Sequence, residues 1–428
     1  MTFKYDRSSD HVKSRKLNLF LEKIPEPVYR EMAETFKSEY GFKNGDQMFL
    51  ADYFLGISKD LADVFMKFIQ RVVKETSLKK FPFPVVPEGF SPASETLLPH
   101  ELNNGFSFAC FDAAITEDGI KIIEFQAFPT NSVPSARMSF FIREKLPLPG
   151  SFVFPNDPDA DWNDFISLKR KIIAGDKKKG IILTDRNIES QKTYFNFRAI
   201  QRELDAAIDL VDASRIFERD GGLFYKTDHG TKQARRLYNR VVPAEAALED
   251  DYPRNSDAWN FRFDQAYEKM VFVNHPCKYF EISKGLLPHI KDPINPLCYE
   301  LADAADQFRS GELPFSEFVF KDAWGFSGHR NTLLPNIGVL DQLTGKNMLG
   351  RYIAQQKIPF ELFRTGDNLE KIVELRFMTM HSGKNFLTTP MARIGHIHQT
   401  REGEIIYKIH FSDNNMPGYG YCPVVIFE

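Results

Sequence analysis

The segment from Phe106 to Phe128 constrains this chain more than any other. Phe106-Ser-Phe-Ala-Cys-Phe-Asp-Ala-Ala-Ile115 is a largely apolar run. Glu117-Asp118-Gly119 follows, and the chain returns as Ile120-Lys-Ile-Ile-Glu-Phe-Gln-Ala-Phe128. Asp-Gly between two apolar runs predicts a β-hairpin. Side chains alternate faces along a strand, so Glu124 and Gln126 share one face. A three-residue loop, Glu117 to Gly119 with Gly119 left-handed, pairs residue 116 with 120 and sets Asp112 directly opposite Glu124. A two-residue loop puts the two acids on opposite faces. In the first register, two carboxylates and an amide meet between strands that are otherwise apolar. Like charges that close repel strongly in a low dielectric, so a cation is expected between them. Ligands that are all oxygen suit Mg²⁺. A strand-end acid and an exposed edge acid would give the same local pattern, so the rest of the chain has to decide.

At 428 residues the chain can bury two or three cores. Its 55 basic and 58 acidic residues give no electrostatic case for nucleic acid or an anionic membrane surface as partner. Cys110, Cys277, Cys298 and Cys422 are scattered without CxxC spacing, which suggests a reducing compartment. The start of the chain lacks a signal-peptide core, and no uncharged apolar window of about 18 residues exists, so a cytoplasmic location is expected.

Residues 15–80 read as helical, with a break at Pro25-Glu-Pro27 and a long amphipathic pattern from Gln47 to Thr76. Residues 1–100 are therefore expected to form a helical N-terminal region that caps a site or mediates homodimerisation. The hairpin region 101–145 comes next. Over 146–250, the buried strand Gly180 to Asp185, a helix near 190–206, and strands at 208–212 and 236–242 predict a small α/β domain. From 251 to 428, helices at 257–270 and 284–291 precede strands at 316–322, 351–358, 372–380 and 404–411. The expected class is α/β (α+β).

Several side chains after the hairpin suit a phosphate. Lys321 ends the apolar run Phe318-Val-Phe-Lys321, where it can act as a point charge on phosphate. Gly325, Ser327 and Gly328 follow and let backbone amides approach phosphate oxygens. Ser283 is a plausible N-cap, which places Lys284 in a first helical turn where a bound anion would offset an unfavourable cation. Arg376 and Arg393 interrupt apolar surroundings, and a phosphate or an acid would serve either equally well as partner. Tyr238-Asn239-Arg240 reads as an ion pair or a substrate clamp.

Taken in order, these pieces resemble a circularly permuted ATP-grasp ligase, similar to the glutathionylspermidine synthase group. The resemblance lies in Phe111-Asp112, Glu124 and Gln126, then Phe128-Pro-Thr-Asn-Ser132, Lys284, Phe320-Lys321 with Gly325 to Gly328, Ile353-Ala-Gln355-Gln356, and Glu374-Leu-Arg376. It implies the ATP-grasp fold in permuted order and Mg²⁺ on Asp112, Glu124 and Gln126. It further implies ATP phosphates on Lys284 and Lys321 under a closing loop, adenine on the Gln355-Gln356 hinge, and Arg376 beside the γ-phosphate. Three positions depart from the family pattern: Gln126 where Asn is usual, Cys110 where an Arg precedes the Phe-Asp pair, and Asp322 where a Pro follows the lysine. Arg240, Arg330 or Arg376 could supply the missing guanidinium.

The activity so implied is an ATP-dependent carboxylate–amine ligase. A small-molecule or peptide carboxylate would be phosphorylated to an acyl phosphate, and an amine would attack it, releasing ADP and phosphate. Asn239 and Arg240 are the expected carboxylate clamp. A nucleotide-binding pseudoenzyme of the same fold, and a small-molecule kinase, are the alternatives.

Overall fold

The computed structural model describes residues 11–41, 50–77, 86–92, 105–204, 207–248, 251–255, 259–325, 330–366, 369–399, 405–409 and 419–428. It is a mixed α/β structure with several sheets.

Along the chain, β1 (Leu19–Lys23) is followed by α1 (Glu26–Tyr40), β2 (Tyr53–Ser58) and α2 (Lys59–Ser77). The expectation of an all-helical N-terminal region is therefore corrected. Leu19, Leu21, Tyr53, Phe54, Leu55 and Ile57 are all buried, as a strand covered on both faces requires. Such a strand has no clear period, and its apolar residues merge with the helical stripe after it. The hairpin is β3 (Phe108–Thr116) and β4 (Gly119–Gln126), and α3 (Ser132–Lys145) follows.

Next come α4 (Trp162–Ala174), β5 (Ile181–Asp185), α5 (Tyr194–Glu203), β6 (Ile208–Asp212), β7 (Arg236–Asn239) and β8 (Val271–Val273). A capping box starts α4: Asp161 accepts from the amides of Asn163 and Asp164, and Asp164 returns a bond to the Asp161 amide. β5 to β8 make a parallel sheet in the order β8-β7-β5-β6. The expected helix at 257–270 is absent among its described residues. Trp259, Phe261, Phe263 and Tyr267 instead belong to an aromatic core beside this sheet. The helix expected at 284–291 is a short 3-10 segment, Lys284–His289, with Pro288 inside it.

The C-terminal part holds β9 (Phe318–Asp322), β10 (Tyr352–Gln356), β11 (Glu370–Ser382), β12 (Asn385–Gln399), β13 (Gly420–Cys422) and β14 (Val424–Phe427). β14 does not stay with its sequence neighbours. It pairs in parallel with β2, deep in a sheet of residues 11–13, 19–23, 53–58, 151–152 and 424–427. β12, β11, β3 and β4 lie side by side in a second, antiparallel sheet, so the hairpin is joined edge-on to strands about 260 residues later in the chain. β9 and β10 form the middle of a third sheet. One face of the second sheet is apolar: Phe111, Ala113, Ile115, Ile120, Ile122, Phe125, Leu375 and Phe377 pack beneath α2, with Phe65 stacked 4.5 Å from Phe377. The opposite face is polar around Asp112, where the candidate site lies, and apolar farther along, where Phe108, Met378 and Met380 join another core. Among the described residues no helix is long and apolar enough to cross a membrane.

Candidate functional site

The hairpin loop contains two residues, not three. Thr116 pairs with Gly119, Ile115 with Ile120, and Ala113 with Ile122, leaving Glu117 and Asp118 as the turn. Continued without interruption, that register would place Glu124 opposite Phe111 and aim it into the core. A β-bulge intervenes: Ile123 is the extra residue, the ladder shifts between Ala113 and Asp112, and Asp112 then pairs with Glu124. The facing of the two acids is thus the one expected from the sequence, reached by a different route. The signal for it was present. Ile120 and Ile122 are buried in the core, and so are Phe125 and Ala127, so the apolar period of two slips by one residue at Ile123.

The bulge also exposes acceptors. The Lys321 ammonium donates to the Ile123 carbonyl at 3.0 Å, and the Gln355 side-chain amide donates to the Ile122 carbonyl at 3.2 Å. On its outer side β4 meets the segment 282–294, where Gln126 bridges to Ser283 and the Ala127 amide donates to the Ile282 carbonyl at 2.8 Å. Ser283 caps the 3-10 turn by accepting from the Gly285 amide at 3.3 Å. Lys284 therefore begins the turn as expected, and its ammonium reaches Glu124 at 2.9 Å and the Gly325 carbonyl at 2.6 Å.

Asp112 is held by arginine. Arg376, its cross-strand partner on β11, donates Nε–H to Oδ1 at 2.7 Å and Nη2–H to Oδ2 at 2.5 Å, and Arg393 Nη2 stands 3.5 Å from Oδ2. Arg393 also pairs with its own cross-strand partner Glu374, Nε to Oε1 at 2.8 Å. In this structure, then, acids partner both arginines. Four cations (Lys284, Lys321, Arg376 and Arg393) face three carboxylates (Asp112, Glu124 and Glu374) on one sheet face. Burial pushes the Glu124 carboxyl up, but the ammonium groups of Lys284 and Lys321 outweigh it and hold it at about 2. Burial lowers Lys321 to about 8 against the pull of Glu124, and it raises Glu374 to about 7 against Arg393. Net positive charge in a partly desolvated cluster favours a polyanion.

The remaining expected residues fall as follows. Gln126 shares the polar face of Glu124, beside the buried hydroxyl of Tyr279, which donates to the Trp324 carbonyl at 2.7 Å. Gln355 is buried with its side-chain amide committed to β4. Gln356 is exposed at the end of β10, and its backbone amide donates to the Leu297 carbonyl at 2.8 Å. Gly325 contributes its carbonyl to Lys284. Ser327 and Gly328 lie outside the described residues.

Arg240 is not part of the Asp112–Glu124 group. Its guanidinium donates to the Pro129 carbonyl and lies over Phe128 and Phe197, 5.0 and 5.5 Å from their ring centres. Asn239 is not a clamp: its side chain closes a turn on the Val241 backbone, accepting from the amide and donating to the carbonyl, both at 3.1 Å. Asp322, fully buried, accepts a fork from Arg351 at 2.9 and 2.5 Å and caps the Trp324 amide. The Cys110 thiol is pushed well up by burial, and it donates to Asp112 Oδ1 at 3.4 Å. The sequence reading missed Tyr279 and the Asp322–Arg351 pair, because nothing local in the chain shows that an aromatic or a strand-end acid will face a charged cluster.

Three oxygen-bearing side chains from two paired strands, on one face of the sheet, fit a hard divalent cation chemically. Each carboxylate is now satisfied by a protein cation, so Lys284 and Arg376 would have to yield to the ion. Among the described residues no ready-made group of three or more His, Cys, Asp and Glu could hold a metal.

No family model and no curated protein matches this chain. Among solved structures it is similar to one from Methylobacillus flagellatus KT named "Putative gamma-glutamylcysteine synthetase", at 10% identity and a TM-score of 0.41, over 83% of this chain and 85% of that one.

Proposed function

We propose that this chain is an ATP-dependent carboxylate–amine ligase of permuted ATP-grasp type, forming an amide through an acyl phosphate. The reading rests on one observation. Lys284, Lys321, Arg376 and Arg393 converge with Asp112 and Glu124 at one sheet face, from segments as much as 281 residues apart. A desolvated cluster of this size is expensive as a purely structural device, since apolar packing often does as well or better. It suits a triphosphate that replaces Glu124 as partner of Lys284 and the Ile123 carbonyl as partner of Lys321.

Asp112, Glu124 and Gln126 would hold Mg²⁺, whose bound charge would offset that of the phosphates. Lys284, released from Glu124, and Lys321, released from the Ile123 carbonyl, neutralise the phosphate chain, and Arg376 steadies the transferring group. In the first step a substrate carboxylate oxygen bonds to the γ-phosphorus while the bond to the ADP oxygen breaks. In the second an amine attacks the acyl carbon, loses a proton and expels phosphate. Positioning and charge neutralisation do the work, with no protein nucleophile required.

ADP release that needs both an acid and an amine supports the ligase, whereas ADP formed with an acid alone indicates a kinase. Asp112→Asn and Glu124→Gln should each reduce turnover by roughly a hundredfold or more; wild-type turnover in either variant would remove the metal assignment. Asp112→Asn should also lower stability, because Arg376 would lose its charged partner. The fork between Arg376 and Asp112 favours a second reading, a nucleotide-binding pseudoenzyme in which Arg376 keeps Asp112 as its partner. Thermal stabilisation by Mg-ATP without turnover would select it.

A further inference from the structure

A second polar cluster lies behind the loop that follows β4, at the C-terminal edge of the parallel sheet, where open α/β sheets place their ligands. Lys169 on α4 is fully buried, donates to Ser132 Oγ at 2.8 Å, and lies over Phe108 and Phe165, 4.8 and 5.9 Å from their ring centres. Among the described residues no carboxylate pairs with it, and the charge felt at it is that of a second cation, Arg240. Arg240 is also buried, and its Nε–H finds no acceptor among the described residues. The Tyr238 ring packs 5.4 Å from Phe108, and its fully buried hydroxyl is likewise without a partner. Ser132 opens α3, whose N-cap Asn131 makes no side-chain cap, so the positive end of a 14-residue helix faces the same place. Asp185, at the end of β5, is the one carboxylate whose charge is felt at Arg240.

Two buried cations, two unpartnered donors and a helix N-terminus against one acid is an arrangement short of an anion. The cluster is also connected to the first site. Asn131 donates to the Tyr421 hydroxyl at 3.3 Å, Tyr421 is the cross-strand neighbour of Arg393, and Arg393 reaches Asp112.

We propose that Ser132 and Arg240, backed by Lys169, bind an anionic group on the acid substrate, a carboxylate or phosphate carried in addition to the carboxylate that is activated. This rests on the ligase reading and narrows it: the substrate is a small acid with two anionic ends, one anchored here and one presented toward Asp112 and Arg393. Ser132 accepts from Lys169 and so keeps its own proton to donate. Lys169 is a positioning residue that fixes this hydroxyl and adds charge behind it.

The test uses the full-length protein without nucleotide, in an anion-poor buffer. Glutamate and succinate probe a dicarboxylate, inorganic phosphate probes the alternative, and acetate is the single-charge control. Calorimetry should show one class of probe binding saturably, and Lys169→Met and Ser132→Ala should each weaken it by about tenfold or more. The melting shift produced by Mg-ATP should survive in Lys169→Met, a separation that general damage to the fold would not give. The proposal is overturned if both variants bind the probes as wild type does, or if no probe binds wild type at about 20 mM. Lys169-dependent probe binding in a protein that ignores Mg-ATP would keep the subsite and discard the ligase.

Discussion

Lys169 also titrates differently from an ordinary lysine. Burial, with a smaller push from Arg240, lowers its ammonium from the usual 10.5 to about 7. Between those values the unfolded chain holds a proton that the folded chain has released, so stability rises with pH. In urea titrations without added anions, wild type should gain on Lys169→Met by up to about 1.4 kcal/mol per pH unit above pH 7. Parallel profiles would mean that Lys169 stays charged throughout. The arginines show what the sequence could and could not say at this scale. Isolated in apolar runs, Arg376 and Arg393 had to have anionic partners, and they do. Which anions was undecidable, because Asp112 and Glu374 reach them only through strand pairing.

The hairpin shows how an element positions chemistry. A two-residue turn and a bulge at Ile123 together give the facing of Asp112 and Glu124 that a three-residue turn would give alone. They differ in one respect, since the bulge presents the Ile123 carbonyl to Lys321. Deleting Ile123 should keep Glu124 opposite Asp112 in a regular ladder and preserve cooperative unfolding. The hydrogen bond to Lys321 would be lost, costing about 1–2 kcal/mol and shrinking the Mg-ATP melting shift. Full Mg-ATP stabilisation in the deletion variant would show the bulge to be no more than a register correction. Helices were read less well than strands here. The apolar stripe from Phe65 to Val72 identified α2, but the fully buried strand before it was absorbed into the same helix.

At the scale of the molecule, β14 ties the two ends of the chain together. Val424, Val425 and Ile426 are fully buried, paired with β2 more than 360 residues earlier. Burying three aliphatic side chains contributes roughly 5–9 kcal/mol, comparable to the whole stability of a typical domain. A chain ending at Pro423 should therefore lose cooperative thermal unfolding; a normal transition in calorimetry would show the strand to be dispensable. The sequence by itself determined the local pieces: the hairpin, the polar residues on one of its faces, the α/β alternation from 180 to 242, and the need of two arginines for anions. Those follow from side-chain periodicity and turn chemistry, which act over a few residues. The tertiary structure alone decided that Lys284 and Lys321 meet Glu124, that Arg376 closes on Asp112, and that Lys169 and Arg240 share an anion-poor pocket of charge. Each of these pairings joins residues scores to hundreds of positions apart, and their energies depend on desolvation, which no local pattern encodes.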